Sequence, residues 1–586
     1  MGKKMLAMML AAVATVFAAC SSDDPYSEFE YLNNLNQGGN ASGGISSGNT
    51  SANDLASFDI AIDKETAEPT TSADEEFPEE EDNLDNNSFT TEVNITFDGN
   101  NVYYDEVAGI TFTANGAHLI ADHGSTKSVC YILTGTTTAG SLTVVGDKKY
   151  AVRLNGVSIT NPDSAAVNLL SKKRAYVILN SGTANTLADA ASTAADHKAA
   201  FYCKGKLLFN GSGALEVYGN NKNAIQSADY IVFRKGNNVY AKSTANHGIK
   251  ANDGIYINGG ILNVEVSAEA AKGINCEADI AINGGRTTVV TTGNGTFDTE
   301  DNEAKGAAGI KADGNVRIND GQVLLKSTGS GGKGIKSDLE TIINGGLIRI
   351  ITTGGQYASN NDTASPKGIK ADGNLTVNGG DIMVRTTGKN GEGIESKSTM
   401  TINDGSIQVS AYDDAINSTG DLYITGGSIV AIGTNNDGID SNGNMYISGG
   451  NIIAYGASGA ETGIDVDEQH KLYLTGGALF AIGGRIDLSV GSSNDSQALA
   501  QTSGSVAAGS TVTVSDGTTT LATFTMPPYS YNNGTIVVSA PGMSSGTSYT
   551  LALGSSTVNV TASNSVSGGM GGGMQPGGGG PGGGRW

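Results

Sequence analysis

Cysteine, proline and aromatic residues are scarce in this chain: of 586 residues four are Cys, ten are Pro, and 6% are Phe, Trp or Tyr. One cysteine falls in an export segment, and the remaining three, Cys130, Cys203 and Cys276, are an odd set that argues against a disulfide framework. No stretch offers the apolar runs that a multi-spanning helical membrane protein needs. Positive charge is short as well. The 35 Lys and Arg stand against 59 Asp and Glu, and a net charge of −24 speaks against nucleic acid as a partner. Glycine is in excess, 84 residues, about twice its usual share. Helix interiors tolerate Gly poorly, and the absence of a strict three-residue period sets collagen aside. The composition therefore points to a long, turn-rich β protein, and 38% hydrophobic residues suffice for a sizeable core.

Residues 1–19 read as a signal peptide, because Lys3 and Lys4 precede an uncharged apolar run from Met5 to Ala19 that is too short to span comfortably. Phe17-Ala18-Ala19-Cys20 resembles a lipobox with Cys20 as the lipidated residue, although Phe17 stands where Leu is usual. Ser21-Ser22-Asp23-Asp24 resembles the acidic signal that sends some Gram-negative lipoproteins to the cell surface. The expectation is an outer-membrane protein facing the exterior and touching the membrane only through the lipid at Cys20. Residues 21–90 hold 17 Asp and Glu against one Lys. With so few apolar residues to offset ordering entropy, residues 20–90 are expected to form an acidic, solvated tether.

The rest of the chain repeats. GIKANDGIYINGG (248–260), GIKADGNVRINDG (309–321), GIKSDLETIINGG (334–346), GIKADGNLTVNGG (368–380) and GIDSNGNMYISGG (438–450) are representative segments. The anchor isoleucines from Ile225 to Ile464 are spaced 24, 25, 36, 25, 34, 25, 22, 23 and 25, a period near 24 broken by two insertions. Each repeat reads as three short strands separated by Gly-rich corners, with Asn-Gly-Gly or Asn-Asp-Gly before the third. No segment between them is periodic enough for a helix, and the period is too short for a propeller blade. The pattern predicts an all-β fold, a right-handed parallel β-helix over residues 91–487, its hand set by the crossover rule. Hairpin-like runs predict a small β cap over 488–566, and residues 567–586 are a Gly-rich tail. Cys203 and Cys276 occupy the same slot three coils apart, roughly 14 Å at the stacking distance, too far for a disulfide.

The GIKADGN-type coils, the Asn-Gly-Gly corners, the segment Ser181-Gly182-Thr183-Ala184-Asn185-Thr186-Leu187 and the lipobox together resemble the bacterial carbohydrate-binding-domain family of β-helix lipoproteins, over roughly residues 91–560. That family is similar in fold to the right-handed β-helix polysaccharide lyases. The resemblance implies binding of plant cell-wall polysaccharide and of calcium, and it carries no invariant site to transfer residue by residue.

Three outward ladders carry chemistry. The residue after each anchor reads Lys250, Asn275, Lys311, Lys336, Lys370, Glu395, Asn417, Asp440 and Asp465. Two residues further on stand Glu277, Asp313, Asp338 and Asp372, and where Lys gives way to Glu395 this second position becomes Lys397. The swap predicts lateral ion pairs, which oppose the role of an unpaired lysine base. Asp440 and Asp465 lack such partners, and with Asp414, Asn417 and Asp437 they form a set of oxygen donors suited to calcium, or else a solvated acidic rim. Tyr423, Tyr446 and Tyr473 recur at one position of the second strand and offer ring faces for sugars, or else a self-stacked ladder. The two insertions, 292–308 with Phe297 and 353–367 with Tyr357, are expected to wall one side of a groove, with Tyr357 a further candidate for carbohydrate binding. The leading expectation is a monomeric, non-catalytic surface protein that binds a plant-type or uronic-acid-containing polysaccharide with calcium. The alternatives are a calcium-dependent polysaccharide lyase, with Lys336 or Lys370 removing the C5 proton, and a surface adhesin.

Overall fold

The computed structural model describes residues 55–70, 74–192, 197–492 and 496–569. All of them belong to the second of the chain's two compact units, Ser46–Trp586. The signal peptide, Cys20, the first part of the tether and the end of the tail lie outside the described residues.

The isoleucine spacing becomes a parallel β-solenoid. In the coil around Ile335 the three strands are Lys333–Ser337, Thr341–Ile343 and Leu347–Thr352, and each pairs in parallel with its counterparts in the coils before and after. Ile310, Ile335, Ile369, Ile394, Ile416 and Ile439 are register partners in sequence and lie in one buried column. Burial of each such side chain contributes about 1.5–3 kcal/mol. The column of first strands holds fifteen, of which the first, Thr111–Asn115, is antiparallel and covers the exposed edge, leaving fourteen coils. Parallel pairing in the second and third columns begins at Thr91–Asp98 and runs to Leu472–Gly483.

The corners explain the motif. The Asn side chains of successive Asn-Gly-Gly corners form a ladder: Asn319 donates to Asn283 at 2.6 Å, Asn344 to Asn319 at 2.7 Å, Asn378 to Asn344 and Asn403 to Asn378 at 2.8 Å. The last Gly of the corner has positive φ in every case, for example 102° at Gly380, where a side chain is strained. The Gly before each anchor is required for a different reason: at Gly334 a Cβ would collide with Ile350 and with the next coil's backbone. Cys203, Ser227, Ala251 and Cys276 are successive register partners, and the three described cysteines are buried and free.

Both insertions are antiparallel hairpins, Thr296–Asp298 with Glu303–Lys305 and Tyr357–Ser359 with Asp362–Ala364. They stack as one wall: the Asp362 carboxylate accepts from the Ala304 N–H at 2.7 Å, and the Tyr357 ring lies against Gly295, where a Cβ would come within 2.6 Å of it. At the far end Tyr531–Ser539 pairs antiparallel with the last coil, and a four-stranded antiparallel sheet covers the third-strand face, packing Val512, Val514 and Phe524 into one cluster with Ile432, Ile453 and Phe480.

The segment read as a solvated tether departs from that expectation over 55–70 and 74–89, where it is a strap laid along the solenoid. It runs against the order of the coils. The carbonyls of Ala56 and Phe58 accept from Arg385, Asp59 pairs with Lys326, Asp63 with Arg286, Glu75 with Arg234, and Glu79 with Arg174 and Lys206. Asp82, fully buried, accepts from Arg174 Nε at 2.7 Å and from the Tyr230 hydroxyl at 2.7 and 2.8 Å. Leu55, Phe58 and Ile60 join the apolar cluster of Ile351, Met383 and Ile432. A segment too polar to build its own core is thus ordered by cations and apolar side chains that the solenoid supplies.

Candidate functional site

Two columns of charge share the outer face of the first strands. The column after the anchors behaves as the Lys397 swap predicts. Lys250 pairs with Glu277 at 2.8 Å, Lys311 with Asp313 and with Asp338 at 2.9 Å, Lys336 with Asp338 at 3.2 Å, and Lys370 with Asp372 at 2.7 Å. Glu395, 1% exposed, is held between Lys397 at 2.5 Å and Lys367 at 3.2 Å. Burial works against its ionisation, but the two ammonium groups dominate and hold it down to about 2. Lys336 and Lys370, the candidate bases, are both committed to carboxylates.

The second column lies two residues before the anchors; its aspartates Asp414 and Asp437 were legible in the sequence, and its lysines were not. Lys272, Ala308, Lys333, Lys367 and Glu392 are register partners, and Asp414 and Asp437 continue the position ahead of Ile416 and Ile439. Because Gly and the anchor Ile both face the core, simple alternation misjudges what precedes them. Lys272 donates to the carbonyls of Ala270 at 2.5 Å and Gly306 at 2.6 Å, under the hairpin wall, and Lys333 donates to that of Gly331 at 3.2 Å. Among the described residues no ion pair to a carboxylate forms at either. Burial first, then the surrounding lysines, push both down to about 7. Lys367 differs, since Glu392 at 2.6 Å and Glu395 outweigh its burial and keep it charged.

One coil further the sign reverses. Asp414 and Asp437 are buried and tied to the corner backbone: Asp414 accepts from the Asp437 N–H at 3.1 Å, and Asp437 from the Thr462 N–H at 2.6 Å. Asn417 donates to Asp414 at 3.1 Å, pairs in register with Asp440, and leaves its own Oδ1 buried without a partner. Asp440 and Asp465 are register neighbours, and Asp440 accepts from Asn442 at 3.3 Å. Burial and then mutual repulsion lift Asp414 to about 9 and Asp437 and Asp440 to about 7, and burial lifts Asp465. Among the described residues no three His, Cys, Asp or Glu stand together as a metal-binding group, so the carboxylates form an open ladder. The donor chemistry nevertheless fits a hard cation: every group is an oxygen, one is an orphaned buried amide oxygen, and among the described residues no lysine or arginine is ion-paired to the four aspartates. Past Asp465 the ladder opens into a cleft of about 590 Å³, lined by Asp467, Glu468 and Asp487 and by His470 and Arg485.

The tyrosines are a self-stacked ladder. Tyr423 and Tyr446 have ring centroids 4.7 Å apart and Tyr446 and Tyr473 4.9 Å, with planes within 7°. Tyr473 meets Gly491 on its far side, where a Cβ would lie inside the ring's contact distance. The faces between rings are occupied, leaving the outer face of Tyr423 and the half-buried ring edges. Tyr357 is likewise engaged, within the hairpin wall.

Stacked coils make the outer face of a solenoid an extended surface. The comparisons define its family. Residues 116–272, 241–415 and 384–435, together more than half of the chain, match the family model described as Carbohydrate-binding domain-containing protein, and the chain belongs to that family. A carbohydrate-binding domain-containing protein of Acetivibrio thermocellus is 30% identical over 151 residues, 24% of this chain and 51% of the relative, so the chain spans about half the length of the curated relative it matches. Among solved structures, the polysaccharide lyase-like protein from C. thermocellum, as its gadolinium derivative, aligns over 64% of this chain and 98% of its own at 17% identity, with a TM-score of 0.24.

Proposed function

We propose that the chain binds a uronic-acid-containing, plant-type polysaccharide along the outer face of the first strands, with calcium on the carboxylate ladder and without cleaving the glycan. The observation that carries this reading is the change of sign along one face: among the described residues, lysines Lys272 and Lys333 have no carboxylate partner and aspartates Asp414, Asp437, Asp440 and Asp465 no cation. Family membership supports a polysaccharide as the partner. A uronate carboxylate beside Lys333 favours its charged form, so this half of the face takes up a proton on binding. Calcium would be held by Asp414, Asn417, Asp437, Asp440 and Asp465, and would supply the positive charge that lets them ionise together.

The two halves therefore respond oppositely to pH. Glycan binding anchored on Lys272 and Lys333 strengthens as pH falls from 8 to 6, whereas calcium affinity weakens as Asp437 and Asp440 take up protons. A glycan array run with and without calcium, followed by titration of polygalacturonate at pH 6 and 8 in chelator, tests both. Binding that is indifferent to calcium and to pH would refute the assignment of this face.

A second reading, β-elimination, is favoured by one observation: Lys333 is lowered to about 7 and has no ion-pair partner, which suits a base that takes the C5 proton better than the paired Lys336 or Lys370. Growth of unsaturated uronate absorbance that disappears in Lys333→Ala selects the lyase. No growth selects the binding reading. The location at the outer membrane, through lipid at Cys20, rests on the sequence, and fatty-acid labelling lost in Cys20→Ser tests it.

A further inference from the structure

The acidic strap covers a track of cations. Arg174, Lys206, Arg234, Arg286, Lys326 and Arg385 lie beneath it, each bonded to a strap carboxylate or carbonyl. The coils carrying Arg174 and Arg385 are seven steps apart, about 35 Å at ~4.8 Å per coil. This track lies on the second and third strands, away from the first-strand face.

The strap is an extended polyanion, and it fits its track imperfectly. Arg286, 4% exposed, pairs with Asp63 at 3.4 Å and donates to the Asp63 and Thr66 carbonyls at 2.8 and 3.2 Å, yet its buried Nε finds no acceptor among the described residues, nor does the buried Nε of Arg385. A buried donor without an acceptor costs free energy that a better-matched anion recovers. The track also carries aromatic surface: Tyr230 presents its hydroxyl to Asp82, and the strap's own Lys64 sits 3.6 Å from the Tyr240 ring centroid. Guanidinium forks beside tyrosine rings are the chemistry that holds a carboxylated sugar, the fork taking the carboxylate and the ring the apolar face of the pyranose.

We propose that this track is a second polysaccharide-binding surface, for a polyuronate chain, and that the strap is an internal mimic that occupies it until the glycan displaces it. The sugar part rests on family membership; the displacement is independent of the first-strand face.

The test uses the full chain in chelator, so that the carboxylate ladder stays metal-free, with polygalacturonate as the probe. Amide hydrogen exchange of the wild type is expected to rise across 55–70 when polygalacturonate is added. Asp59→Asn/Asp63→Asn/Glu75→Gln, which weakens the strap but keeps the buried Asp82, is expected to bind at least tenfold more tightly. Adding Arg286→Gln and Lys326→Gln should remove the gain. Exchange at 55–70 that stays constant or falls, a gain that survives loss of the track cations, or equal binding of single-stranded DNA overturns the proposal. Protection of 333–337 and 367–371 with no change at 55–70 overturns it too, while leaving the first-strand reading intact. Should the charge variant fail to fold, the wild-type exchange experiment decides alone.

Discussion

Asp440 is the cleanest probe of the carboxylate ladder, because among the described residues its carboxylate accepts a hydrogen bond from Asn442 alone, and Asp440→Asn leaves the backbone corners untouched. Its carboxyl is lifted from 3.8 to about 7, first by burial and then by Asp465 and Glu392, equivalent to about 4 kcal/mol at one site. The repulsion alone, for neighbouring carboxylates at roughly 5 Å and an effective dielectric near 20, is about 3 kcal/mol. The folded chain keeps this proton to about pH 7, whereas the unfolded chain releases it near 3.8. Between those values the folded state binds more protons, so stability falls as pH rises through the window. Asp440→Asn lacks that dependence. In chelator the variant should match the wild type near pH 4 and exceed it by about 4 kcal/mol at pH 8, read from denaturation followed by circular dichroism. Calcium at pH 8 should then narrow or invert the order, since an ion at 100 times its Kd stabilises the wild type by about 2.7 kcal/mol and finds a poorer site in the variant. Parallel pH curves for the two proteins would refute the reasoning, and equal calcium shifts would place any ion elsewhere.

Asn344→Ala interrupts the corner ladder and leaves Asn319 Oδ1 and Asn378 Nδ2 without their partner; a loss of about 1 kcal/mol is expected in urea denaturation. Asp82→Ala removes the acceptor of Arg174 Nε and of the Tyr230 hydroxyl, while Glu79 and Glu81 still pair with Arg174; a loss of about 2 kcal/mol is expected, and amide exchange should rise across 74–89 while the isoleucine column stays protected. Burial pushes the Cys203 thiol up to about 12 and that of Cys276 to about 11, so neither should react with a thiol reagent at pH 8 until the protein is unfolded.

The solenoid was legible because its energetics are local and repeated: an isoleucine every 22 to 25 residues, outside the two insertions, states both the strand and its partner. The ion pairs were legible for the same reason, the Glu395/Lys397 reversal being visible without coordinates. The strap was not, because its partners lie up to 329 residues away, as for Arg385 and Ala56, and its own composition resembles that of unordered chains. Lys272 and Lys333 escaped notice because two consecutive core-facing residues, Gly and Ile, break the alternation on which outward positions are counted. The tyrosine ladder was legible as a ladder, but residue spacing alone could not tell rings that offer their faces from rings that spend them on each other.

The direction of the strap sets how the protein bears load. A pull on the chain ahead of Leu55 meets the contacts in single file, Arg385 first, then Lys326, Arg286 and Arg234, so each yields alone and at low force, as a zipper does. At Thr91–Asp98 the geometry changes, for that strand is bonded in register along its length to Val129–Thr137 and resists as a shear joint. Drag on the N-terminal side would therefore be absorbed by a compliant, re-formable segment before it reached the coils, and the solenoid would stay intact while its outer track was bared.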